Sequence, residues 1–242
     1  MDNKTVLITG AAKRIGASIA KQLHQVGMNI IIHHNTSEKE ADELANELNS
    51  SRTDSAMTLQ ANLTESGSYE TLIKNAVQFK NRLDVLVNNA SVFYPTDINH
   101  ISEQQWNETI NTNLKAPLFL SHYAATHLKK HNGCIINITD IHGEKPLKDH
   151  PIYCISKSGL ITLTQSLAKE LGPNIRVNAI SPGAITWPDN MNKETQEEIL
   201  QHTALEKVGT MEDISKTALF LINDADYISG QILNVDGGRS LY

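Results

Sequence analysis

Two rhythms of apolar and polar positions alternate along the chain. Short continuous apolar runs, such as Val6-Leu7-Ile8 and Ile30-Ile31-Ile32, predict buried strands. Longer stretches in which apolar residues recur every three or four positions, such as Ile15, Ile19, Leu23 and Val26, predict helices. Strands are expected at 6–9, 29–33, 55–60, 83–87, 134–138, 175–180 and 231–235. Helices are expected at 13–26, 37–48, 64–79, 102–113, 116–130, 153–171 and 213–221. Local signals sharpen two ends. Gly27 stops the first helix, and Ser37 with Glu40 three residues on forms a capping-box pattern at the start of the second.

Most of these strands are too apolar for a sheet with one wet face, and they alternate with helices. That pattern belongs to a parallel sheet covered on both sides. The expected fold is α/β: a single doubly wound, Rossmann-type domain over 1–242 with a seven-stranded parallel sheet. No linker, repeat or low-complexity stretch divides it. The segment 184–207 is long and partly polar, and is expected to be a substrate-covering loop with a short helix. Trp187 within it either closes over a substrate or anchors the loop.

Composition narrows the partners. A net charge of −6 argues against a nucleic-acid protein held by a basic surface. No apolar run reaches the roughly 18 residues of a membrane span, and the N-terminus lacks the pattern of a signal peptide. Cys134 and Cys154 make neither a disulfide framework nor a metal-ligand spacing. The ten His residues form no zinc pattern, so no metal is expected. The expected compartment is the cytoplasm, with no nucleic-acid or membrane partner.

The first strand runs into Thr9-Gly10-Ala11-Ala12-Lys13-Arg14-Ile15-Gly16 and then a helix. In a doubly wound fold this junction holds a dinucleotide pyrophosphate. Gly10 permits a tight turn, Gly16 a close approach, and the helix N-terminus offers free N–H groups. Lys13 and Arg14 add positive charge. An NAD site usually places an acid at the end of the second strand, to bond the ribose 2′-hydroxyl. Here the stretch reads His33-His34-Asn35-Thr36-Ser37, with no acid before Glu38. NADPH is therefore the expected cofactor, with His34, Asn35 and Thr36 near its 2′-phosphate. Asn62 and Leu63 follow the third strand, where an adenine edge would lie. Asn88-Asn89-Ala90 follows the fourth, and either lines the cofactor or braces the sheet.

Tyr153 and Lys157 are four apart, which puts both on one face of a helix. An ammonium beside a phenol lowers the phenol's pKa from about 10, so such a Tyr can deliver a proton near neutral pH.

From Thr9-Gly10 to the closing Val235-Asp236-Gly237-Gly238, the chain resembles the short-chain dehydrogenase/reductase family. Asn88-Asn89-Ala90, Asn113, Tyr153/Lys157 and Ser181-Pro182-Gly183 carry the likeness between them. The resemblance implies that Tyr153 exchanges the proton, Lys157 assists it and bonds the nicotinamide ribose, and Asn113 holds a proton-relay water. It implies cofactor contacts at Ile15, Asn89, Ala90, Ser91, Pro182 and Gly183, and a homotetramer. Two positions depart from the family pattern. Arg14 replaces the middle Gly of the loop, and Asp140, thirteen residues before Tyr153, stands where the catalytic Ser is usual. Together they resemble the pteridine reductases, which also carry a Phe shortly after N-N-A-S. Phe93 matches it. That branch implies a flat pterin between Phe93 and the nicotinamide, with Arg14 and Ser91 touching pterin and cofactor phosphates, and Asp140 and Tyr153 beside the substrate. A carbonyl reductase of 3-oxoacyl thioesters or sugars is the alternative within the family. A non-catalytic NADP-sensing protein is the alternative outside enzymes.

Overall fold

A computed structural model of the chain describes residues 3–187 and 191–242. Seven strands form one parallel sheet: β1 (Thr5–Ile8), β2 (Asn29–His34), β3 (Ala56–Gln60), β4 (Val85–Asn88), β5 (Cys134–Ile138), β6 (Arg176–Pro182) and β7 (Ile232–Val235). Their order is β3-β2-β1-β4-β5-β6-β7. The order reverses between β1 and β4, the place where a doubly wound sheet opens a crevice at its carboxyl edge.

Among the described residues eight α-helices accompany the sheet: α1 (Arg14–Gln25), α2 (Glu38–Ser51), α3 (Ser68–Lys80), α4 (Glu103–Ile110), α5 (Ala116–Leu128), α6 (Pro151–Leu171), α7 (Lys193–Gln201) and α8 (Met211–Asn223). Alternate strand residues feed two separate cores. Val6, Ile8, Ile30, Ile32, Val85, Val87 and Ile136 pack on one side with Ile19, Leu23, Leu44, Ile214 and Leu221. Leu7, Ile31, Leu86, Ile135 and Val177 pack on the other with Leu72, Ala76, Leu120 and Leu128. Each such side chain stabilises the fold by roughly 1.5–3 kcal/mol through area removed from water. Among the described residues no helix is long and apolar enough to cross a membrane.

The expected elements are found, with corrections at their ends. α3 starts at Ser68, not 64, because the Asn62 side chain accepts from Thr64 N–H (3.1 Å) and Gly67 takes φ +87°. The capping box at Ser37 does not form: Ser37 makes no side-chain cap bond, and Glu40 instead pairs with Lys13 at 2.6 Å. Capping boxes occur at Ser102/Gln105 and Thr210/Asp213. The helix expected over 102–113 stops at Ile110 and passes through a π-helical turn, Asn111–Lys115, into α5. α6 begins at Pro151, two residues early, with Pro in the position where its missing N–H costs nothing. α7 is the short helix expected within 184–207. Trp187 is half-buried, and Pro188 to Asn190 lie outside the described residues.

Candidate active site

The carboxyl ends of β1, β2, β4, β5 and β6 build the site. Gly10 sits at φ +60°, and a Cβ there would fall 2.9 Å from Ala90 Cα. A Cβ on Gly16 would fall 2.5 Å from the Gly10 carbonyl oxygen. Glycine is thus required at both places. Thr9 Oγ1 accepts from the N–H groups of Asn89 (2.9 Å) and Ala90 (3.0 Å). The Asn89 amide donates back to the carbonyls of Thr9 and Gly10, both at 2.9 Å. These bonds tie β4 to the loop. Asn88 is a brace, donating to Asn137 Oδ1 at 2.8 Å.

Arg14 takes φ +52°, the left-handed region. That explains why a Gly is usual here and why Arg is strained, by roughly 1–3 kcal/mol. Its side chain is exposed, as is Ser91, while Ile15 packs partly against the core. Lys13 offers no side-chain cap, which leaves first-turn N–H groups open to a ligand.

At the end of β3 the Asn62 side chain takes part in a turn, accepting from Thr64 and donating to Glu65 Oε1 at 3.0 Å. Leu63 is buried in the core, and its carbonyl accepts from Tyr69. At the end of β2, Asn35 and Thr36 are exposed. His34 is 4% exposed, and its Nδ1 has no partner. Ser181 Oγ, at the end of β6, is likewise buried without a partner. Gly183 follows, with a Cβ position only 2.7 Å from Asp236 Cα. Orphaned polar atoms at β2 and β6, on either side of the glycine turn, fit a dinucleotide lying across the crevice. Pro182 and Gly183 close its far end, where Gly183 N–H donates to the Val235 carbonyl at 3.1 Å.

The chemical groups lie between β5 and α6. Tyr153 Oη donates to Asp140 Oδ2 at 2.7 Å, and Asp140 Oδ1 accepts from His142 N–H at 2.8 Å. Lys157 Nζ donates to the Ile138 carbonyl at 2.9 Å and lies 5.6 Å from the Tyr153 ring centre. Burial pulls the Lys157 pKa down to about 8, against the opposing pull of Asp140. Burial, then the Asp140 charge and hydrogen bond, push the Tyr153 phenol well above its ordinary 10.0. This corrects the expectation that Lys157 would lower it: in the free protein, desolvation and the carboxylate win.

Asn113 is fully buried on the π-helical turn. Its Oδ1 accepts from Val92 N–H (2.9 Å), and its Nδ2 donates to the Val92 carbonyl (3.0 Å) and Ser156 Oγ (3.1 Å). The side-chain amide therefore fixes the loop before Phe93. Phe93 is 54% exposed, so it is no part of the core. It stacks on His150 (centroids 4.7 Å, 12°) and meets the Tyr153 ring edge-on (4.7 Å, 76°).

Sequence reasoning missed two residues. His150 lies three positions before Tyr153, a spacing that would have placed it on the same helical face. Arg239 is half-buried on the C-terminal turn, in the field of Asp140 and Asp236, and no sequence signal marks it.

The family described as enoyl-(acyl carrier protein) reductase matches residues 10–240. A 3-oxoacyl-[acyl-carrier-protein] reductase of Staphylococcus aureus (strain Mu50) is 35% identical over 240 residues, covering 97% of each chain. Its counterpart from Chlamydia trachomatis is 35% identical over 244 residues, covering 98% of each. That of Synechocystis is 34% identical over 246 residues, covering 99% of this chain and 98% of its own. These relatives bear the names of carbonyl reductases, the alternative within the family, and not of pteridine reductases. With likeness running from the nucleotide loop to the C-terminal turn, the chain belongs to the short-chain dehydrogenase/reductase family of oxidoreductases.

Proposed function

We propose that this chain is an NADPH-dependent pteridine reductase acting on dihydropterins, dihydrofolate or biopterin. The observation that carries the reading is the 2.7 Å hydrogen bond from Tyr153 to Asp140. Reduction of a carbonyl builds an alkoxide, which calls for donors around it. A carboxylate aimed at the Tyr hydroxyl would repel that oxygen. Reduction of a pterin C=N bond creates no alkoxide: the ring nitrogen gains a proton.

NADPH, when bound, supplies a hydride to the ring carbon. Tyr153 keeps its proton well past neutral pH and delivers it to the adjacent nitrogen. Lys157 is charged below about pH 8 and steadies the phenolate as it forms. Asp140 accepts from the phenol and keeps it oriented. Phe93 gives an exposed flat face for an aromatic heterocycle. Gly10, Gly16, Asn89 and Ala90 shape the phosphate side, and His34, Asn35 and Thr36 lie at the 2′-phosphate side, ahead of the first acid in the sequence, Glu38.

The second reading, reduction of 3-oxoacyl thioesters, is favoured by the names of the relatives. One assay separates the two: NADPH oxidation with dihydrobiopterin, dihydromonapterin, dihydrofolate and an acetoacetyl thioester. Turnover of a dihydropterin is expected. Turnover of the thioester with every pterin ignored overturns the proposal. A homotetramer is proposed as well, supported by exposed apolar residues on three helices: Trp106 on α4, Leu118 and Phe119 on α5, and Ile155 on α6. Light scattering at micromolar concentration is expected to give four chains per particle.

A further inference from the structure

The end of β2 carries a histidine that neither the sequence pattern nor the proposed chemistry uses. His33 is 2% exposed, and both ring nitrogens have partners. Nδ1 lies 3.1 Å from Gly10 N, and Nε2 lies 3.1 Å from the Ala61 carbonyl oxygen. A backbone N–H can only donate and a carbonyl can only accept. So Nδ1 is the bare acceptor and Nε2 carries the hydrogen. The ring is a neutral imidazole of fixed tautomer, and burial holds its pKa down to about 4.

The place of this ring explains why it is needed. On either side of Gly10 the backbone donors have sheet partners: Thr9 N–H bonds the Val87 carbonyl at 3.0 Å and Ala11 N–H bonds the His33 carbonyl at 2.9 Å. Gly10 itself turns through φ +60°. The N–H of Gly10 is thereby taken out of the backbone ladder and meets a side chain instead. A buried donor without a partner is destabilising. His33 satisfies it and, through Nε2, anchors the turn to Ala61 at the end of β3.

We propose that His33 is a positioning residue for the cofactor: its Nδ1 fixes the Gly10 turn, and so the height of the loop on which the nucleotide phosphates rest. The inference rests on the NADPH reading of this site. It assigns the effect to the acceptor half of the ring, and gives His33 no contact with the nucleotide.

Two substitutions divide the ring. His33→Asn leaves an amide oxygen near the place of Nδ1 and loses the bond to Ala61. His33→Gln sends its amide toward Ala61 and leaves Gly10 without an acceptor. His33→Leu removes both bonds. Nicotinamide fluorescence titration reads the dissociation constant for NADPH and NADH, melting reads stability, and amide hydrogen exchange reads Gly10 without any cofactor. All three variants are expected to melt lower. His33→Asn is expected to keep NADPH affinity within about 3-fold of wild type, whereas His33→Gln and His33→Leu weaken it by roughly 10-fold or more. Gly10 exchange is expected to accelerate in His33→Gln and stay slow in His33→Asn. Equal loss of affinity in the Asn and Gln variants would overturn the proposal, as would a Gly10 amide that exchanges at the wild-type rate in His33→Gln. A wild-type chain that binds neither nucleotide overturns the cofactor reading, whatever the exchange shows. Should His33→Leu not fold, the Asn and Gln pair decides alone.

Discussion

The two halves of the site are built on opposite principles. At the ends of β1, β2 and β3, neutral groups hold one another: Thr9 with Asn89 and Ala90, Asn89 with Gly10, Gly10 with His33, His33 with Ala61. The charges there, Lys13 and Arg14, stand exposed at the rim. Between β5 and α6 the reverse holds. Asp140, Tyr153 and Lys157 are three ionisable groups brought together there, and the Asp140 charge acts on both of the others. The first half is a scaffold of bonds that each contribute about 0.5–1.5 kcal/mol and can be removed one at a time. The second is electrostatically coupled, so a change at one residue moves the proton affinity of the next.

The largest effect that tests this contrast is at Tyr153. Tyr153→Phe keeps the ring against Phe93 and removes the only hydroxyl that Asp140 receives from it. Turnover is expected to fall roughly 100- to 10,000-fold, the usual contribution of a general acid. NADPH affinity, measured by fluorescence, is expected to stay unchanged because the scaffold half is untouched. Turnover within 3-fold of wild type at pH 7 would show that another group supplies the proton.

A scaffold residue answers through stability instead. The His33 pKa is about 4 in the fold, against an ordinary 6.5. The unfolded chain therefore takes up a proton that the folded chain refuses. Stability from this residue is complete above pH 6.5 and falls as pH drops toward 4, by roughly 3 kcal/mol in all. Asn does not titrate, so His33→Asn is expected to be less stable than wild type at pH 7, with the gap narrowing by about that amount near pH 4. Urea melts at a series of pH values check it. A gap that is constant with pH would mean that His33 titrates normally.

The coupled half answers through the pH profile. Lys157 is charged below about pH 8, so activity is expected to decline as pH rises through that value. The Asp140 charge holds the Lys157 pKa up. Asp140→Asn removes that support, and the alkaline limb of the kcat/KM profile is expected to move to lower pH. The same change removes two of the influences that raise Tyr153, its charge and its hydrogen bond. Pterin turnover at pH 7 is expected to drop by roughly 10-fold, well short of the loss in Tyr153→Phe. A limb that stays in place would uncouple Asp140 from Lys157.

The legibility of the sequence divides along the same line. Strand positions, burial on both faces and the glycine loop follow from short-range pattern: alternate residues such as Val6 and Leu7 go to opposite cores, and a Cβ at Gly10 or Gly16 has nowhere to go. What pattern could not give is pairing across space. Asn62 turned back on Thr64, Glu40 reached Lys13 instead of its own helix cap, and Asn113 closed on Val92 through a π-helical turn that a 3.6-residue period does not reveal. The direction of the Tyr153 shift was misread for the same cause: spacing shows Lys157 beside it, while burial and Asp140, thirteen residues away in sequence, outweigh that neighbour.

The smallest expected effect lies where the two halves meet, at the Phe93 ring. One face of Phe93 is stacked on His150 in the free protein, while Asn113 pins the backbone at Val92 just before it. His150 Nδ1 lies 2.8 Å from the Lys148 carbonyl, which keeps the imidazole oriented at the start of α6. The imidazole thus backs the phenyl ring and limits its swing. An aromatic pair of this kind contributes about 0.5–1.5 kcal/mol beyond its buried area. His150→Ala removes that backing without touching Tyr153, Asp140 or the nucleotide loop. The KM for a dihydropterin is expected to rise roughly 2- to 10-fold, with kcat and NADPH affinity held, because a less ordered Phe93 loses ring orientation that a flat substrate must restore on binding. His150→Phe keeps a flat ring at the same place and is expected to restore KM. A kcat that falls together with KM in His150→Ala, or a His150→Phe variant as weak as the Ala one, would mean that the imidazole acts on the chemistry itself, and the division between a neutral scaffold and a charged catalytic cluster would have to be redrawn to include it.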